Sequence, residues 1–366
     1  LGDANHAGST GSRAYTVAQA TTTTTVVSSS PSSSYLGTVT FTVSVAGAAG
    51  TVPTGTVALS DGTTGLGVCT LTTGSCTFAT SALTAGAHTI SARYLGDANH
   101  AVSSSASIAQ SVAPALTTVS VTSAGAASYG ATVVFTISVN PTAATGSVAL
   151  RDGSVPLGTC ALASGSCTIS RSDLTAGTHQ IVASYPGGAN YAGSVSTPYA
   201  QSIAPAATLA TVTSSSPSSA YGSLVTFTVT LSPATATGLV TLLDGSSPFG
   251  TCTLVAGTCS TATGTLLSGV HAVSALYAGD ANHAAATAAT ITQTVIAGTT
   301  TSITPAPTSS AYGDAVTFTI VVVSVDGTLA TGSVALSDGT TGLGVCTLSD
   351  GTCAFSSSTL SAGVPP

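Results

Sequence analysis

The sequence predicts an all-β protein: tandem β-sandwiches with about seven strands per repeat. Three observations carry this. Apolar residues recur with period 2 and nowhere with the helical period of 3.6. Turn signals break the chain into short strand-like runs. The whole pattern returns about every 92 residues.

The cysteines expose the repeat. Cys69, Cys160, Cys252 and Cys346 recur at intervals of 91, 92 and 94, and Cys76, Cys167, Cys259 and Cys353 follow the same intervals. Gln19, Gln110, Gln201 and Gln293 recur at 91, 91 and 92. Tyr35, Tyr129, Tyr221 and Tyr312 mark another shared position. Gly-Asp-Ala-Asn-His stands at Gly2–His6, Gly96–His100 and Gly279–His283, with a degenerate copy at Gly187–Tyr191. Three complete repeats are therefore expected at 20–113, 114–204 and 205–297. Residues 1–19 match the tail of a preceding repeat, and 298–366 match a fourth that stops before its sixth strand, so a piece of a longer array is expected. Thr54–Leu71 and Thr331–Leu348 differ only at Thr56 against Ser333, which points to recent duplication.

Within a repeat, Thr22–Ser28 opens the strand series. In Thr38–Val45, Val39, Phe41, Val43 and Val45 alternate with Thr or Ser, so one face can meet a core and the other water. The same strand recurs at Thr132–Val139, Leu224–Leu231 and Ala315–Val322, rich in residues that favour the pleated surface. Thr56–Ser60 ends at Asp61-Gly62, a strong turn signal. Gly67–Leu71 and Ser75–Phe78 flank a Gly-containing hairpin loop. His88–Tyr94 alternates Ile90, Ala92 and Tyr94 against Thr89, Ser91 and Arg93, and Ala106–Val112 closes the repeat. This is the pattern of an immunoglobulin-like sandwich.

The runs Gly-Thr-Val-Ala-Leu-x-Asp-Gly, Leu-Gly-x-Cys-Thr-Leu and Ala-Gly-x-His-Thr-Ile-x-Ala-x-Tyr-x-Gly-Asp-Ala-Asn resemble bacterial Ig-like domain repeats of the group-3 type, found in large surface and secreted adhesin-like proteins. The resemblance covers essentially the whole chain. It implies tandem Ig-like sandwiches serving as a stalk or adhesive segment, with no catalytic residues. The second repeat departs from the pattern at Gly188, where the others carry Asp.

Composition narrows function further. Lys+Arg number 4 and Asp+Glu 11, for a net charge of −7, and every cation is Arg. An ordinary soluble domain is about 25% charged. No basic patch exists to neutralise phosphates, so nucleic acid is not an expected partner. Without Lys there is no P-loop, and without Glu no Glu-based acid/base pair. No apolar run reaches the roughly 18 residues of a membrane helix, so no membrane insertion is expected within this segment.

Each repeat carries Cys-x6-Cys: Cys69/Cys76, Cys160/Cys167, Cys252/Cys259 and Cys346/Cys353. The spacing does not suit a zinc knuckle. Four matched pairs favour four local disulfides over buried thiols, with the hairpin register left open. Disulfides imply an oxidising compartment, hence an extracellular or cell-surface location.

Asp97 and Asn99, with Asp280 and Asn282, are the residues a calcium ion would use. Their better reading is as turn residues bonding the local backbone, because one loop without a second carboxylate makes a poor cage. No metal or other cofactor is expected. His88, His179 and His271 read as structural residues at a strand end, and no Gly-x-Ser-x-Gly elbow accompanies them. Tyr94, Tyr185 and Tyr277 share the inward parity of their strand and read as core anchors.

The expected protein is not an enzyme but a structural stalk or adhesive segment. Its partners would be host or matrix glycans or proteins, or neighbouring copies of itself. The alternatives are an array of glycan- or protein-binding modules, or accessory domains of a secreted hydrolase whose catalytic domain lies elsewhere. Lacking Lys, the usual guard of exposed strand edges, the chain must protect its edges by strand shortness, Pro, sugar or lateral packing.

Overall fold

A computed structural model describes residues 2–363. The first complete repeat contains β1 (Thr22–Ser28), β2 (Ser32–Ser34), β3 (Val39–Gly47), β4 (Thr56–Asp61), β5 (Thr64–Thr70), β6 (Ser75–Thr80), β7 (Gly86–Tyr94), β8 (Ser103–Ser104) and β9 (Ile108–Ala113). One 3-10 turn, Ala48–Gly50, follows β3, and no α-helix occurs among the described residues. The strands form two sheets, β1-β3-β6 and β2-β9-β7-β4-β5, with β8 added to β7. Pairing is antiparallel except for β2 beside β9. The repeat is thus an Ig-like sandwich whose opening run changes sheets between β1 and β2.

Alternation explains the core. Val39, Phe41, Val43 and Val45 of β3 face Val57 and Leu59 of β4 and Ile90, Ala92 and Tyr94 of β7, all buried. Burying a side chain such as Phe41 contributes roughly 1.5–3 kcal/mol. The aromatics recur as Phe135 and Tyr185, then Phe227 and Tyr277, all among the largest fully buried side chains. The Tyr94 hydroxyl ends this layer by donating to Thr54 O at 2.7 Å, and Tyr185 does the same to Thr145 O at 2.8 Å.

The expected hairpin between Gly67–Leu71 and Ser75–Phe78 needs correction. The turn is tight: Thr73 and Gly74 have φ of 51° and 78°, and Thr72 and Ser75 exchange backbone hydrogen bonds of 2.8 and 3.2 Å. Beyond that bridge the strands part, because β5 pairs with β4 in one sheet and β6 with β3 in the other. Cys69–Cys76 joins these two open edges, with Cα atoms 5.8 Å apart. Cys160–Cys167, Cys252–Cys259 and Cys346–Cys353 do the same in the other repeats. A bulge between Leu59 and Ser60 places Gly67 beside this seam. A Cβ on Gly67 would lie 2.5 Å from Phe78 Cε2, so the absent side chain lets Phe78 close over the edge.

The described chain divides into two compact units. One holds Leu1–Ala126, Thr132–Ser172 and Thr178–Ser202, which is the first repeat and most of the second. The other holds Ala127–Ala131, Asp173–Gly177 and Ile203–Pro366. Within it the third repeat has the same two sheets, three- and six-stranded, as the first. The fourth has one three-stranded sheet and one two-stranded sheet, Gly332–Asp338 with Thr341–Leu348. Its core holds Ile320, Val322, Leu336 and Cys346, with Phe318 and Phe355 half-buried. No helix among the described residues is long and apolar enough to cross a membrane.

Candidate functional site

The polar residues that recur are gathered at three places in the first and third repeats, and at the last two of these in the second. The first is the Gly-Asp-Ala-Asn-His loop after β7. Asp97 Oδ1 accepts from the backbone N–H of Asn99 and His100, each at 2.8 Å, and lies 2.8 Å from His100 Nδ1. Its Oδ2 accepts from Thr54 N at 2.9 Å and Thr54 Oγ1 at 2.8 Å. The Thr54 N–H, ahead of the other donors, holds the Asp97 carboxyl well below the usual carboxylate range. Asp280 repeats the arrangement with Thr237, Asn282 and His283. There burial pulls the carboxyl up, and the donors outweigh it. The ring of His100 is buried, and its Nε2 meets Thr51 Oγ1 at 3.0 Å.

The same loop also pins the first residues of its own repeat. Ala20 N donates to Asn99 O at 2.8 Å, and Ala101 N donates back to Ala20 O at 2.9 Å. The pair recurs between Ala115 and the loop of Asn190, and between Ala206 and the loop of Asn282. The residues just after Pro114 and Pro205 are therefore pinned by backbone bonds. The four residues singled out for calcium thus separate. Asp97 and Asp280 spend their oxygens on their own repeats. The side chain of Asn99 is exposed, while Asn282 Oδ1 accepts from Ala176 N at 2.9 Å. No cluster of three or more His, Cys, Asp or Glu placed to hold a metal occurs among the described residues.

The second place is an imidazole–carboxylate pair between β4 and β7. His88 Nδ1 lies 2.6 Å from Asp61 Oδ2, and His88 Nε2 lies 2.7 Å from Thr84 O. His271 stands likewise between Asp244 Oδ2 at 2.7 Å and Leu267 O at 2.8 Å, and His179 Nδ1 is 2.6 Å from Asp152 Oδ2. A neutral imidazole has one N–H, whereas His88 and His271 face acceptors at both nitrogens. The ring is satisfied only as imidazolium. Burial lowers the His88 pKa, but the Asp61 bond and the Thr84 carbonyl overcome it, so the net shift is upward. His271 shifts the same way. Read separately, Asp61 is a turn residue and His88 a strand-end residue. Their constant separation of 27 residues in three repeats is the signal that links them.

The third place is a buried glutamine. Gln110 Oε1 accepts from Ser28 Oγ at 2.7 Å, and its Nε2 donates to Ser111 O at 3.3 Å. It ties the end of β1 to β9, and so one sheet to the other. Gln201 with Ser123 and Gln293 with Ser214 repeat the tie.

The family described as bacterial Ig-like domain (group 3) matches residues 23–113, 119–204, 212–296 and 303–365. The chain belongs to this family. Its Ig-like repeats are also similar to three solved structures. The fibronectin(III)-like modules of Clostridium thermocellum CbhA share 12% identity over 48% of this chain and 92% of that one, with a TM-score of 0.22. The alpha-2-macroglobulin of E. coli shares 13% over 92% of this chain and 27% of that one, with a TM-score of 0.21. A tetra-tandem repeat in the extending region of a large adhesion protein shares 18% over 92% and 90%, with a TM-score of 0.47. A search of curated proteins found no match. No enzyme family is indicated by the group 3 Ig-like match.

Proposed function

We propose that these Ig-like repeats form a non-catalytic stalk with adhesive character in a bacterial cell-surface or secreted protein. One observation carries the reading: the recurrent polar side chains are consumed in holding the sandwiches together. Asp97 and Asp280 saturate their oxygens on backbone and threonine donors. His88 and His271 commit both ring nitrogens, so neither is free to activate a nucleophile. Disulfides in every repeat suit an oxidising exterior. Adhesion would be distributed over hydroxyl-rich surface such as the groove beside Cys252–Cys259, lined by Thr228, Thr251, Thr253 and Thr258. Immobilised full chain tested against glycan and matrix-protein arrays, and against hydrolase substrates, checks the reading. It predicts weak binding that grows with the number of repeats and no turnover. Turnover by the purified chain, lost on substitution of one residue, would overturn it.

A further inference from the structure

The backbone N–H that precedes the glycine at the start of β7 is bonded to the following repeat at all three junctions. Ala85 N donates to Asn190 Oδ1 at 2.9 Å. Ala176 N donates to Asn282 Oδ1 at 2.9 Å. Ser268, at the same position of the third repeat, donates its N–H to Asp326 Oδ2 at 2.6 Å, and its hydroxyl lies 2.8 Å from Thr328 Oγ1. The first two acceptors come from the Gly-Asp-Ala-Asn loop. The third comes from a different loop, between Val316–Ser324 and Gly332–Asp338. One donor position is thus met by side-chain oxygens from two unrelated loops.

We propose that this N–H and the side-chain oxygen of Asn190, Asn282 or Asp326 form the coupling joint of the array, through which each repeat stabilises its predecessor. Three observations separate this role from that of a turn residue. The Asn190 and Asn282 bonds span 105 and 106 residues, so they do not serve their own loop. The second repeat has lost the loop's Asp, replaced by Gly188, and its His, replaced by Tyr191, yet Asn190 keeps its bond. Asn99 sits in the same sequence motif with its side chain exposed. An aromatic contact accompanies each Asn bond: Tyr35 meets Tyr191 edge-on at 5.6 Å, and Tyr129 meets His283 at 5.4 Å. In a linear array, such nearest-neighbour contacts decide whether repeats unfold singly or together.

The proposal is independent of what the stalk binds. Its test is amide hydrogen exchange by NMR on the full chain, in wild type and in Asn190→Ala, Asn190→Asp and Asn99→Ala. In Asn190→Ala the Ala85 amide should exchange about five- to tenfold faster, the value of one hydrogen bond. The Ala192 amide, bonded to Ala115 O, should keep its protection and so report an intact loop. Asn190→Asp should keep Ala85 protected at neutral pH and release it near pH 3, while Asn99→Ala should change neither amide. Unchanged Ala85 exchange in Asn190→Ala overturns the proposal. So does equal loss at Ala85 and Ala192, which would make Asn190 a loop residue only.

Discussion

Raising the pH from 6 to 9 should destabilise the first and third repeats through their imidazoliums. In the first repeat His88 donates to Asp61 Oδ2 and to Thr84 O, and a neutral ring keeps only one of these bonds. A hydrogen bond made by a charged group is worth about 1.5–3 kcal/mol, so losing one of the two costs about 1.5–3 kcal/mol in each of these repeats. The sign follows from linkage. The His88 pKa is raised in the folded state, so its contribution is complete below the ordinary value of 6.5 and is lost as pH rises through the folded value. The Asp61 pKa is lowered, against burial, by His88 and Thr89 N, so its contribution is complete above 3.8 and is lost as pH falls. Stability should therefore be highest between these two ordinary values. The chain has no Lys, its cysteines are paired, and burial beside Asp97 and Asp280 pushes Tyr94 and Tyr277 up to about 12. Denaturant midpoints at pH 6 and 9, for wild type and for the double variant D61N/D244N, measure the effect. An Asn amide can donate to a neutral ring, so the variant should be less stable at pH 6 and flatter with pH. Wild-type stability equal at both pH values, or an undiminished slope in the variant, would refute the reasoning.

Three further outcomes are expected. Replacing Cys69 and Cys76 together by Ser should lower the stability of the first repeat by about 2–3 kcal/mol on the chain-entropy argument for a short loop. Alkylation of the wild type without reductant should add no mass, and uptake of eight alkyl groups would contradict the pairing. Gly67→Ala should cost about 1–3 kcal/mol by overpacking against Phe78, while the equivalent Gly250→Ala, whose Cβ would come no nearer than 3.3 Å, to Thr261 Cγ2, should cost less. Melting curves showing the reverse order would contradict the seam packing.

The strands were legible because each long one carries its own two-residue alternation. Ile90, Ala92 and Tyr94 declare the inner face of β7 without reference to any neighbour. Partner choice was not legible, since alternation specifies a face and not a sheet. That is why the Thr73–Gly74 turn read as a paired hairpin when its strands join different sheets. Strands β2 and β8, all serine, carry no apolar signal. Asp61 and His88 meet only because β4 and β7 are neighbours, with Asp61 opposite Ile90. The Asp-Asn loop looked like one local turn. In the third repeat Asp280 bonds its own sandwich while Asn282 bonds the preceding one, which no single-repeat reading shows.

Force-extension of single full chains tests most directly the claim that this is an array of separately folded, disulfide-closed sandwiches. At about 3.3–3.6 Å per residue, each complete repeat should release a step on the order of 300 Å. Reduction should lengthen each step by only about 20 Å, because the disulfide encloses so short a loop. Three equal steps with this small increment, and a shorter fourth, are the predicted record. Smooth extension without steps, or one step releasing the whole chain, would contradict the account.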